Sequence, residues 1–141
     1  MEVIPNNGLG PLRFGMSPEQ VRSLLEEPET YEEWMGGNLN NSLLYKGLII
    51  GFDACDAYGP LAHSKFCEAS IHYRDDVVIM GKRLLDWSRS AVIDRLEEES
   101  LSYTLSPDTD IRVAELSLAF SFGDEDQLIF LEMWVPGKRD A

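Results

Sequence analysis

The chain has 141 residues, room for one domain of ordinary size, and its 44% apolar and 26% charged content excludes wholesale disorder. Asp and Glu number 25 against 12 Lys and Arg, a net charge of −13. A field of that sign repels phosphate backbones and anionic lipid, which argues against nucleic acid or a membrane surface as partner and leaves room for a basic protein.

The opening segment, Met1 to Leu12, lacks the basic start and long apolar run of a secretory signal, so a cytoplasmic protein is expected. Gly8-Leu9-Gly10-Pro11 reads as a turn rather than a phosphate cradle. Ser17-Pro18-Glu19-Gln20 carries a capping box with Pro at the first helical position, and Val21, Leu24 and Leu25 form an apolar stripe that Pro28 ends. Residues 43–52 read as one aliphatic strand with Leu44, Leu48, Ile50 and Phe52 on a single face. Ala69, Ile71 and Tyr73 alternate with Glu68, Ser70 and His72, the pattern of a half-buried strand.

A second helix is predicted from Ser88 to about Glu98, with Ala91, Val92 and Leu96 inward. From Glu115 to Phe122 the alternation is strict, with Leu116, Leu118, Phe120 and Phe122 on the buried side. A turn at Gly123 to Asp126 leads into a strand, 127–135, that buries Ile129, Leu131, Met133 and Val135 and projects Phe130 and Trp134 from the other face. These elements predict an α+β fold, a single domain over 1–141 with helices on one face of an antiparallel sheet. An offset of 71 residues superposes Gly10 on Gly81, Ser17 on Ser88, Val21 on Val92 and Leu25 on Leu96. A tandem α-β-β duplication is therefore expected, with units at 8–75 and 79–136.

Chemical signatures are sparse. Cys55, His63 and Cys67 include zinc-ligand types, but their spacing matches no common zinc pattern, and neither a metal nor another cofactor is expected. Reduced thiols are the expected state of Cys55 and Cys67, with a bridge across the intervening loop as the alternative. Cys67 and His72, five apart on one strand, point to opposite faces, and no serine elbow, Walker loop or H-E-x-x-H motif is present. Enzymatic activity is not expected.

Interaction features are more plentiful. Acidic runs lie at Glu26 to Glu33, Glu97 to Glu99 and Asp124 to Asp126. Aromatic residues stand among or near such charges. The candidate partner-binding set is Tyr31, Glu32, Glu33, Trp34, Asp53, Asp56, Tyr58, Asp124, Glu125, Asp126, Phe130 and Trp134, aromatic anchors within an acidic rim.

The run from Gly8 to Leu25, with Gly15-Met16-Ser17 and Val21 at its centre, resembles the G-x-L-x-F-G-M-[ST]-x-x-E-V-x-x-x-L opening of several small bacterial α/β families. These include the beta-lactamase inhibitory protein group and outer-membrane assembly lipoproteins; Gln20 stands where the pattern often has Glu. Gly47 to Asp53, Cys67 to Ile71 and Gly81 to Leu85 are similar to cytoplasmic immunity proteins of polymorphic toxin systems. The resemblance covers most of residues 8–96, rests on a helix cap and core positions, and carries no active site. A missing lipobox and leader point away from the lipoproteins. The resemblance implies a cytoplasmic immunity protein that neutralises a basic toxin domain by occlusion. The alternatives are a small-ligand-binding or enzymatic α+β domain, and a homodimer paired through the Phe130 and Trp134 face.

Overall fold

The computed structural model describes residues 1–25, 40–106 and 110–138. The first half runs through three short strands, β1 (Val3–Ile4), β2 (Gly8–Leu9) and β3 (Leu12–Arg13), then α1 (Pro18–Leu24). A hairpin follows, β4 (Ser42–Tyr45) and β5 (Leu48–Phe52), then a small one, β6 (Cys55–Asp56) and β7 (Gly59–Pro60), and the long strand β8 (Phe66–His72). The second half runs β9 (Val78–Ile79), β10 (Lys82–Arg83), α2 (Arg89–Glu98), β11 (Thr104–Leu105), β12 (Ile111–Val113), β13 (Leu118–Phe122) and β14 (Leu128–Trp134). Seven strands form one antiparallel sheet in the order β11-β12-β13-β14-β8-β5-β4. The predicted α+β class with an antiparallel sheet is the class observed.

Local chemistry sets both helices. At α1 the Gln20 amide donates to the Ser17 hydroxyl (3.2 Å) while the Ser17 amide donates to the Gln20 side chain (2.9 Å), the expected capping box. The helix lasts only about two turns, and its stripe reaches the core in part: Val21 is buried and Leu25, at the C-cap, packs against the core, whereas Leu24, expected inward, is 45% exposed. Ser88 caps α2 by accepting from the Ala91 amide (3.2 Å), and Val92 and Leu96 are buried. One tie occurs in both halves: the Phe66 amide, opening β8, donates to the Met16 carbonyl at 2.8 Å, and the Leu128 amide, opening β14, donates to the Trp87 carbonyl at 2.9 Å. Met16 and Trp87 each sit just before a helix cap.

The sheet corrects the predicted strands in four places, one of them at the start of β14, where a register shift beside Ser121 and Phe122 puts Leu128 in the core in place of Ile129. Residues 43–52 are a hairpin, folded at Lys46-Gly47, where Gly47 adopts φ +68° and a Cβ would lie 2.6 Å from the His72 carbonyl oxygen. The fold inverts the first arm, so Leu43 and Tyr45 share the core side with Leu48, Ile50 and Phe52, and Leu44 takes the opposite side. Tyr73 lies beyond β8 with a left-handed backbone, φ +48°, and is 64% exposed rather than inward. Glu115 does not begin a strand: Ala114–Leu116 form a 3-10 turn, Ser117 has φ +52°, and β13 starts at Leu118.

The core gathers alternate residues from every long strand. Leu48, Ile50, Ala69, Ile71, Leu118, Phe120, Leu131 and Met133 are at most 2% exposed and share one cluster with Val21, Val92 and Leu96. Burying each large member contributes about 1.5–3 kcal/mol. Trp87 fixes a corner of the cluster, donating its indole N–H to the Ile79 carbonyl (3.0 Å) beneath the Lys82 and Arg95 side chains.

Candidate functional site

Cross-strand pairs point to the same side of a sheet, so the register fixes what the opposite face presents. Arg112, Ala119, Glu132, Ser70, Ile49 and Leu44 form one row from β12 to β4. Ser121, Phe130 and His72 form a second, and Trp134, Glu68, Gly51 and Ser42 a third. Where the core side is apolar throughout, this side mixes charge, hydroxyl and aromatic groups, and its middle is half-exposed. His72 and Phe130 pack ring against ring at 4.2 Å between centroids. Burial pushes the His72 imidazole below its ordinary titration range, opposed by the nearby Glu132 carboxylate.

Of the two aromatics expected to project here, Phe130 is half-exposed and Trp134 is not available. Trp134 is 1% exposed, with the Arg112 guanidinium over its ring at 4.9 Å. It takes the predicted side of β14 but serves as packing.

Acidic loops rim both ends of the sheet. Asp53, directly after β5, accepts from the Lys65 amide (2.9 Å), and Asp56 pins the β6–β7 hairpin by accepting from the Tyr58 amide (2.8 Å). Tyr58 is thereby held on an ordered turn with its side chain in water, 98% exposed. Asp124, Glu125 and Asp126 are exposed at the turn between β13 and β14. The β14–β8 register puts this turn and the Asp53–Tyr58 loop at opposite ends of the central strands, about 20 Å apart. The two predicted acidic groups are therefore separate surfaces. Tyr31, Glu32, Glu33 and Trp34 lie outside the described residues.

A cleft that sequence reading missed opens where α1 ends. Its volume is about 1030 Å³, and its walls come from the end of α1, the β4–β5 turn and the segment after β8. The walls are tied together: the His72 amide donates to the Gly47 carbonyl (2.8 Å), and Arg74 donates to the Lys46 carbonyl (3.1 Å). Arg74 also grips Asp76 through two hydrogen bonds of 2.8 Å, and this guanidinium holds the Asp76 carboxyl below the usual carboxylate range. Four large hydrophobic residues are exposed among those described, and two of them, Leu24 and Tyr73, line this cleft. Its lining is scattered from Met1 to Leu85, and no local motif announces it.

The thiols are unbridged, Cys55 exposed and Cys67 buried. Among the described residues no group of three or more His, Cys, Asp or Glu gathers in a metal-holding arrangement, and no helix is long and apolar enough to cross a membrane. No family model, curated protein or solved structure matches the chain.

Proposed function

We propose that the chain is a protein-binding module that neutralises a basic protein domain by occlusion, acting in the cytoplasm as the immunity protein of a toxin. The observation that carries the reading is Tyr58, a large aromatic held almost wholly in water on the turn of the β6–β7 hairpin, which Asp56 pins and Asp53 precedes. Folding gains nothing from such a side chain, whereas an interface gains an anchor. The net charge of −13 supports a basic partner, which the acidic rims would steer in. An interface of ordinary size, about 800 Å² on each side, is wide enough to cover both rims and the half-exposed face between them.

The helices, in this reading, lie on the core face and leave the Phe130 face free. A tandem duplication accounts for the tie that recurs at Met16–Phe66 and Trp87–Leu128 and for the central β8–β14 pair, where the halves meet. The functional test is charge reversal of Asp53 and Asp56 together, and separately of Asp124 to Asp126, with association followed by surface plasmon resonance. Either reversal is expected to slow association by about ten-fold at low salt. Binding unchanged by both would overturn the steering role.

The cleft favours a second reading, a small-ligand-binding domain. Its exposed Leu24 and Tyr73, above the buried Tyr45 and Leu48, give a concave apolar site of the size that small molecules occupy.

A further inference from the structure

We infer that β11, the outer strand of the sheet, receives an extended basic segment of a partner protein as an added strand; this rests on the basic-partner reading and adds where and by which groups such a partner is gripped. Among the described residues nothing pairs with the outer side of β11. The Ser106 amide donates to the Asp110 carbonyl (3.0 Å), so these two residues form a hydrogen-bonded pair of the β11–β12 ladder. Such pairs alternate along an antiparallel ladder. Thr104 and Arg112 are therefore the next one, and the Leu105 N–H and C=O turn away from β12. Those two backbone groups are the template that an incoming strand uses. The Leu105 side chain beside them is 54% exposed, one of the four large hydrophobic residues left so among those described. Neither lysine nor proline, two common guards of a sheet edge, stands between Tyr103 and Ser106.

The charge of the incoming segment follows from what lies beside that edge. The helix α2 ends in Glu97 and Glu98 with Glu99 as its cap, all exposed, at the negative pole of the helix dipole. Ser100 adopts φ +57° and the Leu101 amide donates to the Leu96 carbonyl (2.8 Å), which turns the chain directly from these glutamates into β11. Tyr103 carries the link. Its hydroxyl donates to the Glu97 carboxylate at 2.9 Å, and that bond holds the phenol above its ordinary titration range, with the Asp94 carboxylate adding to the effect. The cation nearest in register, Arg112 opposite Thr104, lies over the Trp134 ring. Helix pole, glutamates and Asp94 therefore bear on one end of an open strand, where lysine or arginine side chains of an added strand would meet them. Asp53, Asp56 and Asp124 to Asp126, the residues of the two rims, take no part in this edge.

The test titrates the full chain with an acetylated, amidated peptide of alternating lysine and valine, followed by amide NMR shifts and hydrogen exchange. The peptide is expected to saturate, with shifts centred on Tyr103 to Ser106 and exchange of the Leu105 amide slowed at least about ten-fold when bound. Glutamate in place of lysine should weaken binding by at least about ten-fold at low salt. Methylating every backbone nitrogen of the peptide, which keeps its charge and removes its donors, should abolish binding. Leu105→Pro removes the outward N–H without touching a bond to β12 and should lose the peptide, whereas Leu105→Ala keeps the N–H and should retain it. Unchanged affinity after methylation, equal binding of the glutamate peptide, or no saturable shift at the edge would overturn the added strand. Shifts centred on Asp53, Asp56 or Asp124 instead would overturn it while supporting the basic-partner reading. Rim reversals that fail to slow a partner would count against that reading and leave the result at the edge untouched.

Discussion

The two faces of the seven-stranded sheet are made from the same strands with alternate residues, yet they are built for different ends. On one side Ile50, Ile71, Phe120 and Leu131 have no exposed area and belong to one buried cluster that also includes Val21, Val92 and Leu96. On the other, Phe130, His72, Glu132, Ser70 and Ala119 are left half-exposed, and only toward Leu44 and Trp134 does burial become complete. An apolar face held dry accounts for stability. A face that keeps aromatic and ionisable groups partly wet, rimmed at both ends by acidic loops, leaves its contacts for something else.

Truncation should separate the faces most sharply. Phe120→Ala, on the dry side, is expected to cost about 3–5 kcal/mol, measured by urea denaturation. Trp134→Ala tests the exception on the wetter side and should cost nearly as much, about 3 kcal/mol, because the ring is buried beneath Arg112. Phe130→Ala, two pairs of residues away on the same side, should cost clearly less than either; equal losses at Phe130 and Phe120 would erase the distinction between faces. Gly47→Ala should destabilise by about 1–3 kcal/mol through the left-handed backbone and the clash with the His72 carbonyl, and it should perturb the cleft more than either face.

Titration gives a smaller and sharper signature. Burial lowers the folded-state pKa of His72, so the unfolded chain binds the proton more readily. The His72 contribution is therefore fully present above about pH 6.5 and declines as the pH falls below it. Asp76 behaves in the same direction at lower pH: Arg74 depresses its pKa, and that contribution is lost as the pH drops through the carboxylate range. Chemical denaturation of wild type and His72→Asn between pH 7.5 and 5.5 should show the larger loss in the wild type. Smallest of all is Tyr58→Ala, expected to leave the melting temperature unchanged because its ring touches little but water.

Much of the fold was readable where the signal was local. The α1 capping box needs only Ser17 and Gln20, and Val92 and Leu96 declare their face within one helix. Longer-range facts were hidden. Residues 43–52 are apolar enough that Lys46-Gly47 did not register as a turn, and one hidden turn reversed the face assigned to Leu44. Alternation placed Phe130 and Trp134 on the correct side of β14, but the cation covering Trp134 comes from β12, far away in sequence. The candidate acidic residues were legible as residues and not as a surface, because only the β14–β8 and β8–β5 registers together set Asp53 and Asp124 at opposite ends. The cleft depends on segments at Leu24, Lys46 and Tyr73 meeting in space, and no single stretch of sequence encodes that meeting.

The central claim, that the wet side and its acidic rims receive a basic protein, is tested most directly by affinity capture from the native host. Wild-type chain is to be compared with Tyr58→Ala and with the Asp53 and Asp56 charge reversal at two salt concentrations. The account predicts one basic protein retained by the wild type, weakened by raised salt, and lost from both variants. No specific partner, or equal capture by all three proteins, would contradict it.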